Sequence, residues 1–209
     1  MLASIYSRLL CALARYLAQP VKRRCSLASA DPQCLTAVLV RGDVLLTDGD
    51  TRMAALVRRV TRSPWAHVAM YVGPLESGAD PRCIVEADIA AGVRAVRLSE
   101  LKGLRVRVLR HSGLDDRQRH RLADWVVTRI GGQYDLAHAW ALTRRLVGLR
   151  LASRLAPAPV AMTQGATRFI CSTLLAQAFL MTGYPIVPDH NDVTPRDFET
   201  ASVLEPVVI

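Results

Sequence analysis

The 209-residue chain has no CxxC pair, and its five cysteines (Cys11, Cys25, Cys34, Cys83 and Cys171) are odd in number and irregularly spaced. That pattern builds neither a disulfide framework nor a structural zinc cluster, and it suits a reducing compartment. No stretch reaches the roughly 18–20 consecutive apolar residues that a membrane-spanning helix needs. A secretory signal is not expected either, because Arg8 and Arg15 interrupt the apolar run of Met1 to Gln19 and no small-residue cleavage site follows. Aromatic residues make up only 5% of the chain. They do not interleave with the basic residues, and no nucleic-acid motif is present, so nucleic acid is not an expected partner. Acidic residues are the minority charge, 18 against 27 basic, leaving a net charge of +9 carried almost wholly by arginine. Such a balance attracts phosphate, anionic membrane surface or acidic substrates without choosing among them. The expected location is cytoplasmic, with peripheral contact to the inner membrane face left open.

The chain is 51% hydrophobic, enough to bury a sizeable core. Met1 to Gln19 has helical period, with Leu2, Ile5, Leu9, Leu13 and Tyr16 or Leu17 on one face and Arg8 and Arg15 elsewhere. This basic amphipathic helix, ended by Pro20, either docks on the protein's own core or lies on anionic membrane, where Lys22-Arg23-Arg24 would reinforce it. Residues 1–34 are therefore read as helix and linker, and 35–209 as the folded domain.

Within that domain, Leu35–Val40 and Gly42–Thr47 read as strands around a Gly-Asp turn, and a helix follows from Thr51 until Pro64. Trp65–Gly73 is β-rich, and alternation places His67, Ala69 and Tyr71 on one face. In the next strand, Arg82–Asp88, Ile84, Glu86 and Asp88 share a face. A glutamate in an otherwise apolar strand is costly to bury without a cation or donor, and an antiparallel neighbour would bring His67 to it. Val93–Leu98 continues as strand, and Leu104–Arg110 alternates strictly, which predicts one wet, basic face. Helices are expected over about Leu114–Ile130, ended by Gly131-Gly132, and after Tyr134, with an arginine-studded end from Arg144 to Arg154. Val203–Ile209 reads as a terminal strand.

Thr167–Leu180 reads as a loop whose Cys171 opens a helix running to Thr182 and stopped by Gly183, apolar nearly all round and hence buried. Free N–H groups and the dipole at a helix start favour a thiolate and lower a cysteine pKa. The plainer reading of Cys171 is a small buried apolar residue. His67, by itself, equally suits a histidine satisfied by a backbone carbonyl. Their joint occurrence with Glu86 spells a nucleophile, a base and an orienting acid.

The chain resembles the circularly permuted papain-like cysteine hydrolases of the NlpC superfamily, close to the YiiX/YebB-like branch. The matching pieces are Gly42–Leu46, Ser63–Gly73, Val85-Glu86-Ala87, Tyr134-Asp135, Cys171–Leu175 and Thr194–Phe198, spanning about Arg41 to Val208. The resemblance implies an α+β fold, an antiparallel sheet packed against a central helix that carries the cysteine. It implies Cys171 as nucleophile, His67 as base and acid, and Glu86 as the orienting residue, with no cofactor and no metal. Ala66 and Thr173 depart from the more frequent serine and glutamate of relatives. The expected activity is cleavage of a peptide-like or N-acyl amino acid amide through a thioacyl-enzyme, the partner being a small-molecule or peptide-like substrate. A lipid acyl hydrolase or acyltransferase meeting anionic membrane through residues 1–24 is the alternative within this chemistry. A non-enzymatic basic binding module is the alternative outside it, and a zinc site from Cys83, Cys171 and His67 is less favoured still.

Overall fold

A computed structural model describes residues 16–20, 31–134, 168–187 and 193–208. Six strands form one antiparallel sheet: Val44–Thr47 (β1), His67–Tyr71 (β2), Arg82–Asp88 (β3), Gly92–Arg97 (β4), Val106–His111 (β5) and, near the C-terminus, Leu204–Pro206 (β8). Their order across the sheet is β4-β3-β2-β1-β5-β8. Gln133–Tyr134 (β6) and Arg168–Phe169 (β7) pair as a short parallel ladder beside it. The helices are Pro32–Val38 (α1), Arg52–Thr61 (α2), Asp116–Val127 (α3), Cys171–Met181 (α4) and Pro195–Thr200 (α5), with a 3-10 turn at Leu98–Leu101. Among the described residues no helix is long and apolar enough to cross a membrane.

Alternation along the strands divides the core in two. Val44, Leu46, Val68, Met70, Val85 and Leu109 face α3 and α4, meeting Leu122, Val126, Leu174, Leu175 and Phe179. Leu45, Ala69, Ile84 and Val108 face the other way, against Leu35, Leu39, Leu98 and Leu101. Burying a side chain the size of Leu or Phe contributes about 1.5–3 kcal/mol, so α4, enclosed from Cys171 to Ala176 and again at Ala178 and Phe179, anchors the first layer. Leu180 and Met181 emerge at its end, 40% and 58% exposed. The helix is therefore not buried all along, as its nearly all-apolar sequence predicts, but only up to Phe179.

Two other expectations are corrected. Leu35–Val40 is not a strand: α1 covers Pro32–Val38. Asp31 caps it by accepting the Gln33 N–H at 3.0 Å, Pro32 sits in its first turn, and Leu35 is its buried residue, with the buried Leu39 following at the extended C-cap. The wet, basic face expected of β5 is present at Arg107 but does not run its length. Leu109 shares a face with Arg107 and is buried, while Arg110 lies on the other face and reaches the buried Asp43. Arg105 and Arg107 cover the Trp65 ring at 6.0 and 5.1 Å from its centroid. The expected helix after Tyr134 and its arginine-rich end lie outside the described residues, as do residues 1–15 and 21–30. Tyr16–Pro20 is placed against α2: the Arg52 guanidinium lies 4.1 Å over the Tyr16 ring, and the Arg52 N–H donates to Gln19 O.

The Gly-Asp turn is more than a turn. Gly42 adopts φ +88°, which glycine alone takes without strain, and so delivers the Asp43 carboxylate into the interior, where its side chain is 0% exposed. There it accepts a forked pair from Arg110, both at 2.8 Å, and the Val40 N–H at 2.9 Å. Arg110 also donates to Val38 O, tying the end of α1 to β5. Removing one partner of a buried pair leaves an uncompensated charge. Asp43→Ala is expected to lower the unfolding free energy in urea by about 3–5 kcal/mol; a loss below about 1 kcal/mol would show that Asp43 carries no such role.

Candidate active site

His67 is the first residue of β2, and the register pairs Met70 with Val85 on β3. One step further, Glu86 falls beside Ala69 and diagonal to His67 on the same face, a separation that two long side chains bridge. His67 Nε2 lies 2.8 Å from Glu86 Oε2. The other ring nitrogen, Nδ1, is left for Cys171, which lies close enough to the imidazole for the two groups to shift each other's ionisation. The three residues read from the sequence, His67, Glu86 and Cys171, thus stand in contact at one end of the sheet.

Local structure explains each placement. Cys171 is the first residue of α4, after Ile170 in extended conformation at the cap. Thr173, where relatives more often carry glutamate, closes the cap: its hydroxyl accepts the Ile170 N–H and donates to Ile170 O, both at 3.1 Å. Ser172 donates to Val193 O at 2.5 Å, fastening the start of α4 to the segment before α5. The loop leading to His67 is fastened to α5 as well. Trp65 Nε1 and Ser63 Oγ each donate to the Glu199 carboxylate, at 2.9 and 3.0 Å. Ala66, buried, donates its N–H to Thr47 O at 2.9 Å.

Sequence reasoning missed Arg94. It sits directly opposite Glu86 in the β3–β4 hairpin and donates Nε and Nη2 to Glu86 Oε1 at 3.0 and 2.7 Å. Hairpin arithmetic would have found it, since a turn centred on Ala90 sets residue 86 across from residue 94. With Arg94 on one oxygen and His67 on the other, the buried carboxylate has a cation at each end.

The electrostatics follow from these contacts. Burial works against ionising Glu86, but His67 and Arg94 outweigh it and hold its pKa at about 2. Burial likewise opposes the imidazolium of His67, yet Cys171 and Glu86 together raise its pKa well above the usual histidine range. For Cys171, burial opposes the thiolate; the His67 charge and hydrogen bond, with the N–H groups of Val68 and Ser172, lower its pKa all the same. Both shifts run in the direction that favours a thiolate–imidazolium pair. Cys83 differs in kind: it packs with Leu35 and Ile84 in the other core layer, and burial pushes its thiol up to about 11. Among the described residues no three His, Cys, Asp or Glu side chains converge to hold a metal ion, and the zinc arrangement of Cys83, Cys171 and His67 is not assembled. A cleft of about 250 Å³ opens beside the pair, with Met53 and Val57 of α2, Ile89 and Leu104 among its apolar lining.

Because the Glu86 pKa is depressed by folding, its contribution to stability is complete above pH 4.5 and lost as pH falls toward about 2. The wild-type protein is expected to lose about 2–3 kcal/mol across that window in excess of Glu86→Gln, measured by denaturant unfolding at a series of pH values. Parallel pH dependences of the two proteins would contradict the assignment.

Residues 38–146 match the family model described as permuted papain-like amidase enzyme, YaeF/YiiX, C92 family. That span holds His67, Glu86 and Arg94 and ends before Cys171. A search of curated proteins finds no match. Among solved structures, the chain is similar to one described as the metalloprotein YiiX from Escherichia coli O157:H7, with a TM-score of 0.55, 16% identity, and coverage of 80% of this chain and 96% of that one. At that identity the likeness is one of fold. The sheet-and-helix architecture and the match over half its length place the chain in the permuted papain-like amidase family, a family of amide-hydrolysing enzymes, to which it belongs.

Proposed function

We propose that the chain hydrolyses a peptide-like or N-acyl amino acid amide through a thioacyl intermediate on Cys171. The observation that carries this reading is the His67 imidazole held between the Glu86 carboxylate and the Cys171 sulfur at a helix start. The lowered thiol pKa and raised imidazole pKa favour a thiolate beside an imidazolium, the form in which no proton need move before attack. The thiolate attacks the carbonyl carbon, and negative charge gathers on the oxygen. The Cys171 N–H, in the first turn of α4 without an intrahelical acceptor, is placed to donate to it. Imidazolium then protonates the nitrogen as the C–N bond breaks, and the amine leaves. Neutral His67 next takes a proton from water as that water attacks the thioester; the acid departs and the ion pair is restored. Glu86 keeps its oxygen on Nε2 throughout, leaving Nδ1 toward the reaction. The mixed lining of the cleft suits a substrate with both an apolar group and polar amide ends.

The test is a panel of N-acyl amino acids, short peptides and lipid acyl esters, with adducts on Cys171 followed by mass spectrometry. Turnover of soluble amides with an acyl adduct on Cys171 is expected, abolished in Cys171→Ala and reduced about 10²–10⁴-fold in His67→Ala. Turnover of lipid esters alone would replace the substrate class, and full activity in Cys171→Ala would overturn the mechanism.

A further inference from the structure

We infer that Arg94 is a positioning residue of this site, one that acts on the reacting pair only through Glu86; the inference rests on the Cys171–His67–Glu86 reading. Arg94 touches neither the sulfur nor the imidazole in any described hydrogen bond. Its two donors instead occupy one oxygen of Glu86, at 3.0 and 2.7 Å, and so leave the other aimed at His67 Nε2 at 2.8 Å. The fork matters as much as the charge. Both donors converge on Oε1, so turning the carboxylate about its last torsion lengthens both bonds at once. The backbone supports the same geometry, because Glu86 and Arg94 are directly paired across the β3–β4 ladder and their separation is set by the sheet. Gly92 holds the start of β4 close against the turn that precedes β6: a Cβ there would lie 2.3 Å from Gly132 O, and Val93 and the Gly131–Gly132 turn exchange two 2.8 Å backbone hydrogen bonds. Arg94 therefore stands on a strand fixed on both sides.

The other ionisable groups around this unit are Asp88 on β3, which acts on Arg94 at longer range, and Glu100 of the 3-10 turn, 3.7 Å from Arg94. Asp50 and Lys102 line the same cleft. None of these bonds Glu86. Arg94 is its only described partner besides His67, and the Glu86 side chain is 11% exposed, so water cannot readily replace what Arg94 supplies. Without the guanidinium, burial drives the carboxylate toward its neutral form, and a neutral Glu86 no longer supports the imidazolium that in turn supports the thiolate.

The test reads the thiolate directly and needs no substrate. Peptide-resolved alkylation of Cys171 is measured against pH in the wild type, His67→Ala, Arg94→Met, Arg94→Lys, Glu86→Gln and the Glu86→Gln/Arg94→Met double variant. The wild type is expected to react down to mildly acidic pH and His67→Ala to lose that reactivity. In Arg94→Met the acid limb moves up by about one pH unit or more, and in Arg94→Lys, which keeps charge without the fork, by less. In the Glu86→Gln background, Arg94→Met moves it no further. An unchanged limb in Arg94→Met, with the His67→Ala loss intact, overturns this inference alone. An equal shift in the Glu86→Gln background overturns it too, since Arg94 would then act without Glu86. An ordinary thiol profile in the wild type defeats the catalytic reading, and this inference with it. If Arg94→Met does not fold, Arg94→Lys decides by the same criteria.

Discussion

The structure depends on one row of alternating charge that runs from the half-exposed Arg94 inward through Glu86 and His67 to the buried Cys171. Each member is costly to place in a protein interior, and each is stabilised by the next. His67 and Arg94 hold the Glu86 carboxyl at about 2, Glu86 and Cys171 raise the His67 pKa, and His67 with two backbone N–H groups lowers that of Cys171. The row joins three strands and a helix, β4, β3, β2 and α4, so the sheet register and the packing of α4 together set its geometry. That is why the apolar layers matter to function. The contact of Phe179, Leu174 and Leu175 with the inner face of the sheet sets where the start of α4, and hence Cys171, must lie.

A second set of contacts fastens the pieces that carry the pair. Glu199 of α5 receives Trp65 and Ser63 from the loop before His67, while Ser172 is held by Val193, just before α5. The C-terminal segment thus grips both the histidine strand and the cysteine helix. Asp43 does similar work on the far side, joining α1, β1 and β5 through Arg110. Both anchors use carboxylates shielded from solvent and paired with arginine, tryptophan or serine donors. Several of the arginines have structural partners: Arg94, Arg105, Arg107 and Arg110 each pair with a carboxylate.

The core of the site was legible in the sequence because its parts obey strong local rules. A cysteine at the start of an apolar helix, a histidine opening a β-rich run, and a glutamate amid Cys-Ile-Val and Ala each break the pattern around them, and strand alternation brings the last two to one face. What escaped was set by pairing across strands. Arg94 carries no local signal, because its partner is eight residues away across a turn. Arg110 was read as solvated because the alternation of its strand changes meaning once Leu109 turns inward, and Asp43 looked like a turn residue until its burial was seen. Leu35–Val40 was read as strand because its residues are apolar, although Asp31 and Pro32 just before it already carry the cap of a helix. Glu199 lies so far along the chain that no local rule connects it with Trp65.

The central claim is that the resting site is an ion pair, not a thiol beside a neutral imidazole. Nitrogen-15 NMR of the His67 ring in the free enzyme at neutral pH tests it most directly. The account predicts both ring nitrogens protonated in the wild type. A neutral imidazole with one protonated nitrogen at that pH would contradict it.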